Sequence, residues 1–239
     1  MEKNAKEMEK ELADIIIQRP HEFKVGRKTM WLYPVTLGKR LMLRPYMDAL
    51  EIDLRMMTAD PNVECLRLVE VKKDVCAQIL AIHATPNTRK DLFNKSGMQT
   101  RRRIMGSLKA EHLAGLLMIV LTNDRTGEIM SHFGIDDERA KTAEVMKVKK
   151  KRDSGCLTFG GKTLMGTFIG QLKELGYNDV EIVFEYSYNY LQLMLADKLT
   201  TINVSAEELE SIPKWAGGKL LDGDDESAMD ELAARIKTR

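Results

Sequence analysis

Cysteine, aromatic side chains and any excess of charge are all scarce in this chain of 239 residues. Cys65, Cys76 and Cys156 are odd in number and lack CxxC spacing, which argues against a disulfide framework or a zinc site. They read as buried thiols in a reducing compartment. With 37 basic and 36 acidic residues the net charge is +1, so no global field draws DNA or an anionic membrane to the chain. The longest apolar run, Leu113 to Leu121, falls far short of the ~20 residues a spanning helix needs. The start, Met1 to Lys10, is charged and helical in pattern and carries no signal-peptide apolar region. A soluble, unexported protein is expected.

Catalytic patterns are missing too. His21, His83, His112 and His132 are scattered without a partner at ligand spacing, and no carboxylate pair or Cys/His combination announces acid-base or nucleophilic chemistry. Gly161-Lys162-Thr163 resembles the end of a phosphate loop, but the upstream glycine would have to replace Cys156, and Gly155 lies one position too early. Arg101-Arg102-Arg103 and the run from Lys147 to Arg152 meet the basic-patch criterion for nucleic acid only in part, because their background is acid-bearing and near neutral. The expectation is a protein that is not an enzyme, holds no cofactor or metal, and binds neither nucleic acid nor membrane.

Methionine, by contrast, is abundant: fifteen against six phenylalanines. Flexible thioether suits either a loosely specified core or a surface that adapts to varied apolar partners, and composition leaves both open.

Patterning predicts a mainly α fold. Phe23 to Val25, a Gly26-Arg27 turn and Lys28 to Tyr33 read as a small hairpin over 23–33, closed by Pro34. Leu43, Met47, Leu50, Leu54 and Met57 then recur at helical spacing, with Pro45 opening or kinking that helix. A second stripe, Cys65, Leu68, Val75, Ile79 and Ile82, comes after the Asp60-Pro61-Asn62 break, which offers a cap and a proline suited to a first turn. After Thr85-Pro86-Asn87 comes a basic amphipathic segment, Arg89 to Met105. Beyond it Leu113, Leu116, Leu117, Val120 and Leu121 mark the most apolar helix, expected at the centre of the first core.

Twelve of the eighteen residues 136–153 are charged, which places a domain boundary there. The expected organisation is a helical N-terminal domain over 1–148, a basic linker over 149–154, a small helical C-terminal domain over 155–210 and an acidic tail over 211–239. Residues 207–231 carry nine acids and only two bases, Lys214 and Lys219. A last short helix is predicted from Ser227 to Lys237.

In the C-terminal domain, Leu164, Phe168, Leu172 and Leu175 keep helical spacing until Gly176, and Asn178 with Glu181 forms a capping-box-like start. The run from 182 to 197 fits two patterns. Phe184, Tyr186, Tyr188 and Tyr190 alternate as in a strand, whereas Ile182, Tyr186, Tyr190 and Leu193 form a helical stripe that length and the cap favour. Leu164, Met165, Phe168, Tyr186, Tyr188, Tyr190, Leu193 and Met194 are the candidate partner-binding residues. Some must fill a small core, yet two short helices cannot cover both faces of a run with tyrosine at every second position. The remainder should lie exposed or against another chain, where tyrosine and methionine suit a groove-binding partner.

Here the residues resemble a family, the tail assembly chaperones of long-tailed bacteriophages. TFGGKTLMGTFI at 158–169 and LKELGYNDVEIVFEYSYNYLQLMLADKL at 172–199 look like the C-terminal "T" part of such proteins, with Gly176-Tyr177, Ser187-Tyr188 and Ala196-Asp197 at its turn, Ser-Tyr pair and Ala-Asp end. FKVGRKTMWLYPVTLGKRLML at 23–43 is similar to the hairpin and helix of the preceding "G" part. Many relatives carry tryptophan near position 178, where this chain has Asn178.

The resemblance implies a non-enzymatic assembly factor in the cytoplasm of the infected bacterial host, absent from the mature virion. It would bind and solubilise the tape measure protein, recruit tail tube subunits and self-associate along the tape measure, with Tyr177 added to the binding residues. It also implies a fused product of G and T parts, joined by ribosomal frameshifting at the lysine-rich Lys149-Lys150-Lys151. The alternatives are a structural tail completion or connector protein and, more remotely, a DNA-binding regulator.

Overall fold

The computed structural model describes residues 2–122, 126–152, 163, 165–198 and 202–216. The chain is mainly α with one two-stranded antiparallel hairpin. It begins with helix α1 (Glu2–Ile16), strands β1 (His21–Val25) and β2 (Lys28–Leu32), and helices α2 (Leu37–Leu50), α3 (Leu54–Ala59) and α4 (Pro61–His83). Next come α5 (Arg89–Leu92), α6 (Lys95–Gly106), α7 (Ala110–Thr122), α8 (Thr126–His132) and α9 (Ile135–Arg152). A π-helical turn, Met165–Ile169, runs into α10 (Gly170–Glu174), and a second, Glu181–Glu185, precedes α11 (Tyr188–Ala196); α12 (Ala206–Ser211) comes last.

The hairpin pairs Val25 with Lys28 across Gly26-Arg27, and Gly26 takes φ +60°, as the first position of a type II′ turn requires. α4 starts where the sequence signals it. The Asp60 carboxylate accepts from the Asn62 and Val63 amides at 3.0 and 3.2 Å, and Pro61 occupies the first turn, where its missing N–H costs nothing. Midway, Lys72 leaves helical geometry (φ −132°, ψ 41°), and its ammonium donates to Ala49 O at the end of α2 at 2.8 Å. The kink thus coincides with a side chain that satisfies another helix's last carbonyls.

α4 packs against α2, α6 and α7, and its stripe Cys65, Leu68, Ile79 and Ile82 is buried with Leu43, Leu50, Met105, Leu113 and Leu117. Each of these large aliphatic side chains, fully removed from water, contributes roughly 1.5–3 kcal/mol. The most apolar helix, α7, is therefore one wall of this core, and the longer α4 is its centre.

Two expectations change. The stripe from Leu43 to Met57 does not run along one helix: α2 ends at Leu50, Glu51 turns left-handed at φ +52°, and Asp53 caps a new helix. Leu54 is consequently 76% exposed. The charged stretch is not a break either, because α9 continues through it to Arg152. Asp136, Asp137 and Glu138 sit in its first turn, Glu138–Lys141 and Glu144–Lys147 pair one turn apart, and its basic residues gather at the C-terminal end, all favourable to helix. The basic linker expected at 149–154 is helix as far as it is described; Asp153 and Ser154 lie outside the described residues.

The division into compact units also differs from a cut at 149–154. One unit comprises Met1–Phe133 with Gly160–Asp197, the other Gly134–Phe159 with Lys198–Arg239. In the first, the segment expected to be a separate C-terminal domain packs on α2: Leu37 shares a buried cluster with Ile169, Leu172, Ile182 and Leu191. In the second, α12 packs against α9, opens on a Ser205–Glu208 capping box and is succeeded by buried Ile212 and Ala216. The acidic tail is described only to Ala216, and the helix predicted at 227–237 lies outside the described residues.

Candidate functional site

Two helix starts hold the aromatic run. Thr36 and Ser187, both buried, face each other in an isolated antiparallel bridge. Thr36 caps α2 by accepting from the Lys39 amide at 3.3 Å, and Ser187 caps α11 by accepting from the Tyr190 amide at 3.2 Å. The Tyr188 amide donates to Val35 O at 2.7 Å and the Ser187 amide to Gln18 Oε1 at 2.6 Å. Just upstream, the capping box forms as the sequence suggests: Asn178 N–H to Glu181 Oε2 at 2.8 Å and Glu181 N–H to Asn178 Oδ1 at 3.0 Å.

The choice between strand and helix for 182–197 resolves into pieces of each. Glu181–Glu185 is a π-helical turn, Tyr186 and Ser187 are extended, and Tyr188–Ala196 is α-helix. π-helical turns are uncommon and gather at functional sites. This one packs on α2 at Gly38, where an added Cβ would lie 2.9 Å from Val183 O and 3.3 Å from the Phe184 ring.

Around this frame the rings form two groups. Tyr186 stacks on Tyr190 with centroids 5.0 Å apart, and Tyr177 meets Tyr186 edge-on at 5.4 Å. The Tyr177 and Tyr190 hydroxyls lie 3.4 Å apart, and burial, then that contact, raises the Tyr177 pKa. In the second group Phe168 stacks on Tyr188 at 5.2 Å, and the Arg40 guanidinium sits 4.1 Å from the centre of the Tyr188 ring. All five rings are half-buried. Leu193 is buried, whereas Met194, Leu175 and Val180 are exposed at 40%, 36% and 47%.

Of the nine residues singled out in the sequence, the structure thus brings together Phe168, Tyr177, Tyr186, Tyr188 and Tyr190 as one aromatic layer over the Leu37 cluster. Leu193 belongs to the interior and Met194 to the surface of α11. Leu164 lies outside the described residues, and Met165 is placed only as backbone of the first π-helical turn. Sequence reasoning missed Arg40, Leu37 and Gly38. The one local signal was a glycine in the first turn of a helix, a mark of close approach.

The aromatic layer is chemically mixed. Its groups are phenol rings, one phenyl ring and one guanidinium, apolar at the face and hydrogen-bonding at the rim. Elsewhere Cys65 and Cys76 are buried and their thiols are pushed up to about 11, mainly by desolvation, which keeps them protonated. His83 is pushed down to about 3 by burial and by Lys39, whose ammonium donates to His83 O at 3.3 Å. Burial and then Arg101 lower the pKa of Lys39 in turn. Of the phosphate-loop-like residues only Thr163 is described, and its hydroxyl accepts from the Gly166 amide at 3.1 Å. Among the described residues no group of three or more His, Cys, Asp or Glu is placed to hold a metal, and no helix is long and apolar enough to cross a membrane. No protein-family model matches this chain, and neither a curated protein nor a solved structure matches it significantly.

Proposed function

We propose that this chain is a tail assembly chaperone of a long-tailed bacteriophage. It binds the tape measure protein through its aromatic layer, keeps it soluble in the host cytoplasm, recruits tail tube subunits and leaves before the virion is complete. The observation that carries this reading is the half-buried ring layer of Phe168, Tyr177, Tyr186, Tyr188 and Tyr190, flanked by exposed Met194, Leu175 and Val180. A long helical partner that aggregates alone needs many adaptable apolar contacts, and tyrosine and methionine supply them. The short motifs of the resemblance also fall at demanding places. Gly176 takes φ +95° after α10, Ser187 caps α11, and Asp197 ends it.

The test is co-expression with the product of the longest neighbouring open reading frame. That product should move from the insoluble to the soluble fraction with the intact chain, and remain insoluble with Tyr186→Ala/Tyr190→Ala. A partner left insoluble by the intact chain would overturn the reading, as would this chain in stoichiometric amount in purified virions. Deleting residues 155–239 would uncover Leu37. Substitutions on the rings leave Ile169, Leu172, Ile182 and Leu191 in place against it.

A further inference from the structure

The hairpin and α6 border an open groove of about 590 Å3, formed by residues that take no part in the aromatic layer. Its charged lining residues, Lys28 and Arg101, are both cations. Among the described residues neither has an ion pair or a side-chain hydrogen bond. The Arg101 guanidinium folds back along α6 toward Gly97, where an added Cβ would lie 3.1 Å from its Nη1. Met30 and Ile104 supply apolar lining and Thr100 a hydroxyl.

The strand beside the groove has an open edge. Among the described residues the sheet has two strands only, so one side of β2 carries backbone groups that no described strand pairs. The two-residue turn makes Val25 and Lys28 a hydrogen-bonded pair, and alternation makes Lys24 and Thr29 a non-bonded one. The Thr29 N–H and C=O therefore point outward along the edge that lines the groove.

We propose that this groove docks an extended acidic peptide of a partner protein, which adds beside β2, bonds the Thr29 backbone and sets its carboxylates on Lys28 and Arg101. Strand addition supplies affinity and the two cations select for acid. Nucleic acid fits less well, because no aromatic ring lines the groove to stack a base and the chain's net charge is only +1. The inference stands apart from the chaperone reading, since none of its residues belongs to the ring layer.

The probe is a fluorescein-labelled synthetic peptide with the sequence of Leu221 to Leu232, which holds six acids and no Lys or Arg. It is titrated against the full chain, and against a full chain with those six acids changed to Asn or Gln so that they cannot compete. Binding is expected, weakening as salt rises from about 50 to about 300 mM. Arg101→Glu and Lys28→Glu should each weaken it at least about fivefold, Tyr186→Ala should leave it unchanged, and a peptide with its acids neutralised should not bind. Should Arg101→Glu fail to fold by thermal melting, Lys28→Glu on the exposed hairpin carries the test alone. The proposal is overturned by a peptide that binds neither chain, by binding indifferent to Lys28→Glu, or by oligothymidylate binding the groove more tightly than the peptide.

Discussion

Among the described residues, seventeen are buried together around α4, nearly all aliphatic, whereas five are around Leu37, and the outer layer of these five is Phe168 and four half-buried tyrosines with Val183 and Leu195. The first cluster holds its helices by excluded water and close packing. The second is too thin to hide its own rings. Its geometry is fixed instead by polar struts to Gln18, Val35 and Thr36, so that the aromatic surface is rigid without being deep. Two clusters of different side-chain chemistry are thus held within one compact unit.

The sharpest way to break this comparison is to truncate one buried leucine in each cluster. Leu80→Ala should cost roughly 2–5 kcal/mol, measured by urea unfolding, and Leu172→Ala should fall toward the lower end of that range because its thinner surroundings can collapse. Equal losses would erase the distinction. Next comes Gly38→Val, whose Cβ would meet Val183 O at 2.9 Å. It should cost about 1–3 kcal/mol and weaken the near-ultraviolet dichroism of the tyrosines, with α4's cluster intact.

A third test uses the polar link between the clusters, where Lys39 of α2 reaches the carbonyl of His83 at the end of α4. His83 in the unfolded chain takes up a proton near its ordinary value, but in the folded chain only at about 3. The unfolded state therefore binds more protons between those values, and stability declines as the solution is acidified through that window, by about 1.4 kcal/mol per pH unit. His83→Gln should flatten that part of the melting-temperature profile. The smallest effect belongs to the Arg40–Tyr188 contact, for which a double-mutant cycle should give about 0.5–1 kcal/mol. Arg40→Ala should nevertheless reduce capture of the partner more than it reduces stability.

Local patterns predict local structure well. Asp60-Pro61 opens α4 as expected, Gly26-Arg27 turns the hairpin, and Asn178 with Glu181 makes its capping box. They fail where a partner distant in sequence decides the outcome. Tyr186 is extended because Ser187 bridges Thr36, and α2 stops at Leu50 because the left-handed Glu51, paired with Lys72 of α4, redirects the chain. The charged run 136–152 misleads for another reason. Low hydrophobicity reads as absence of structure, although charges placed at helical intervals support a helix without burial. Of the candidate site, the rings are visible in the sequence, but Arg40 is not, since nothing near it announces an aromatic neighbour so far along the chain.

The Thr36–Ser187 bridge also imposes an order on synthesis. Every anchor of the aromatic run, Gln18, Val35, Thr36 and Gly38, leaves the ribosome long before its mate, and the Gln18–Ser187 bond alone spans 169 residues. Until that late piece arrives, α2 travels with a vacant notch at Leu37, and contacts so distant form slowly. A polypeptide terminating among Lys149, Lys150 and Lys151 would keep the notch open permanently, while the full-length form fills it from within. Two chains with identical opening residues, one stopping there and one continuing through Leu191, would then display different faces.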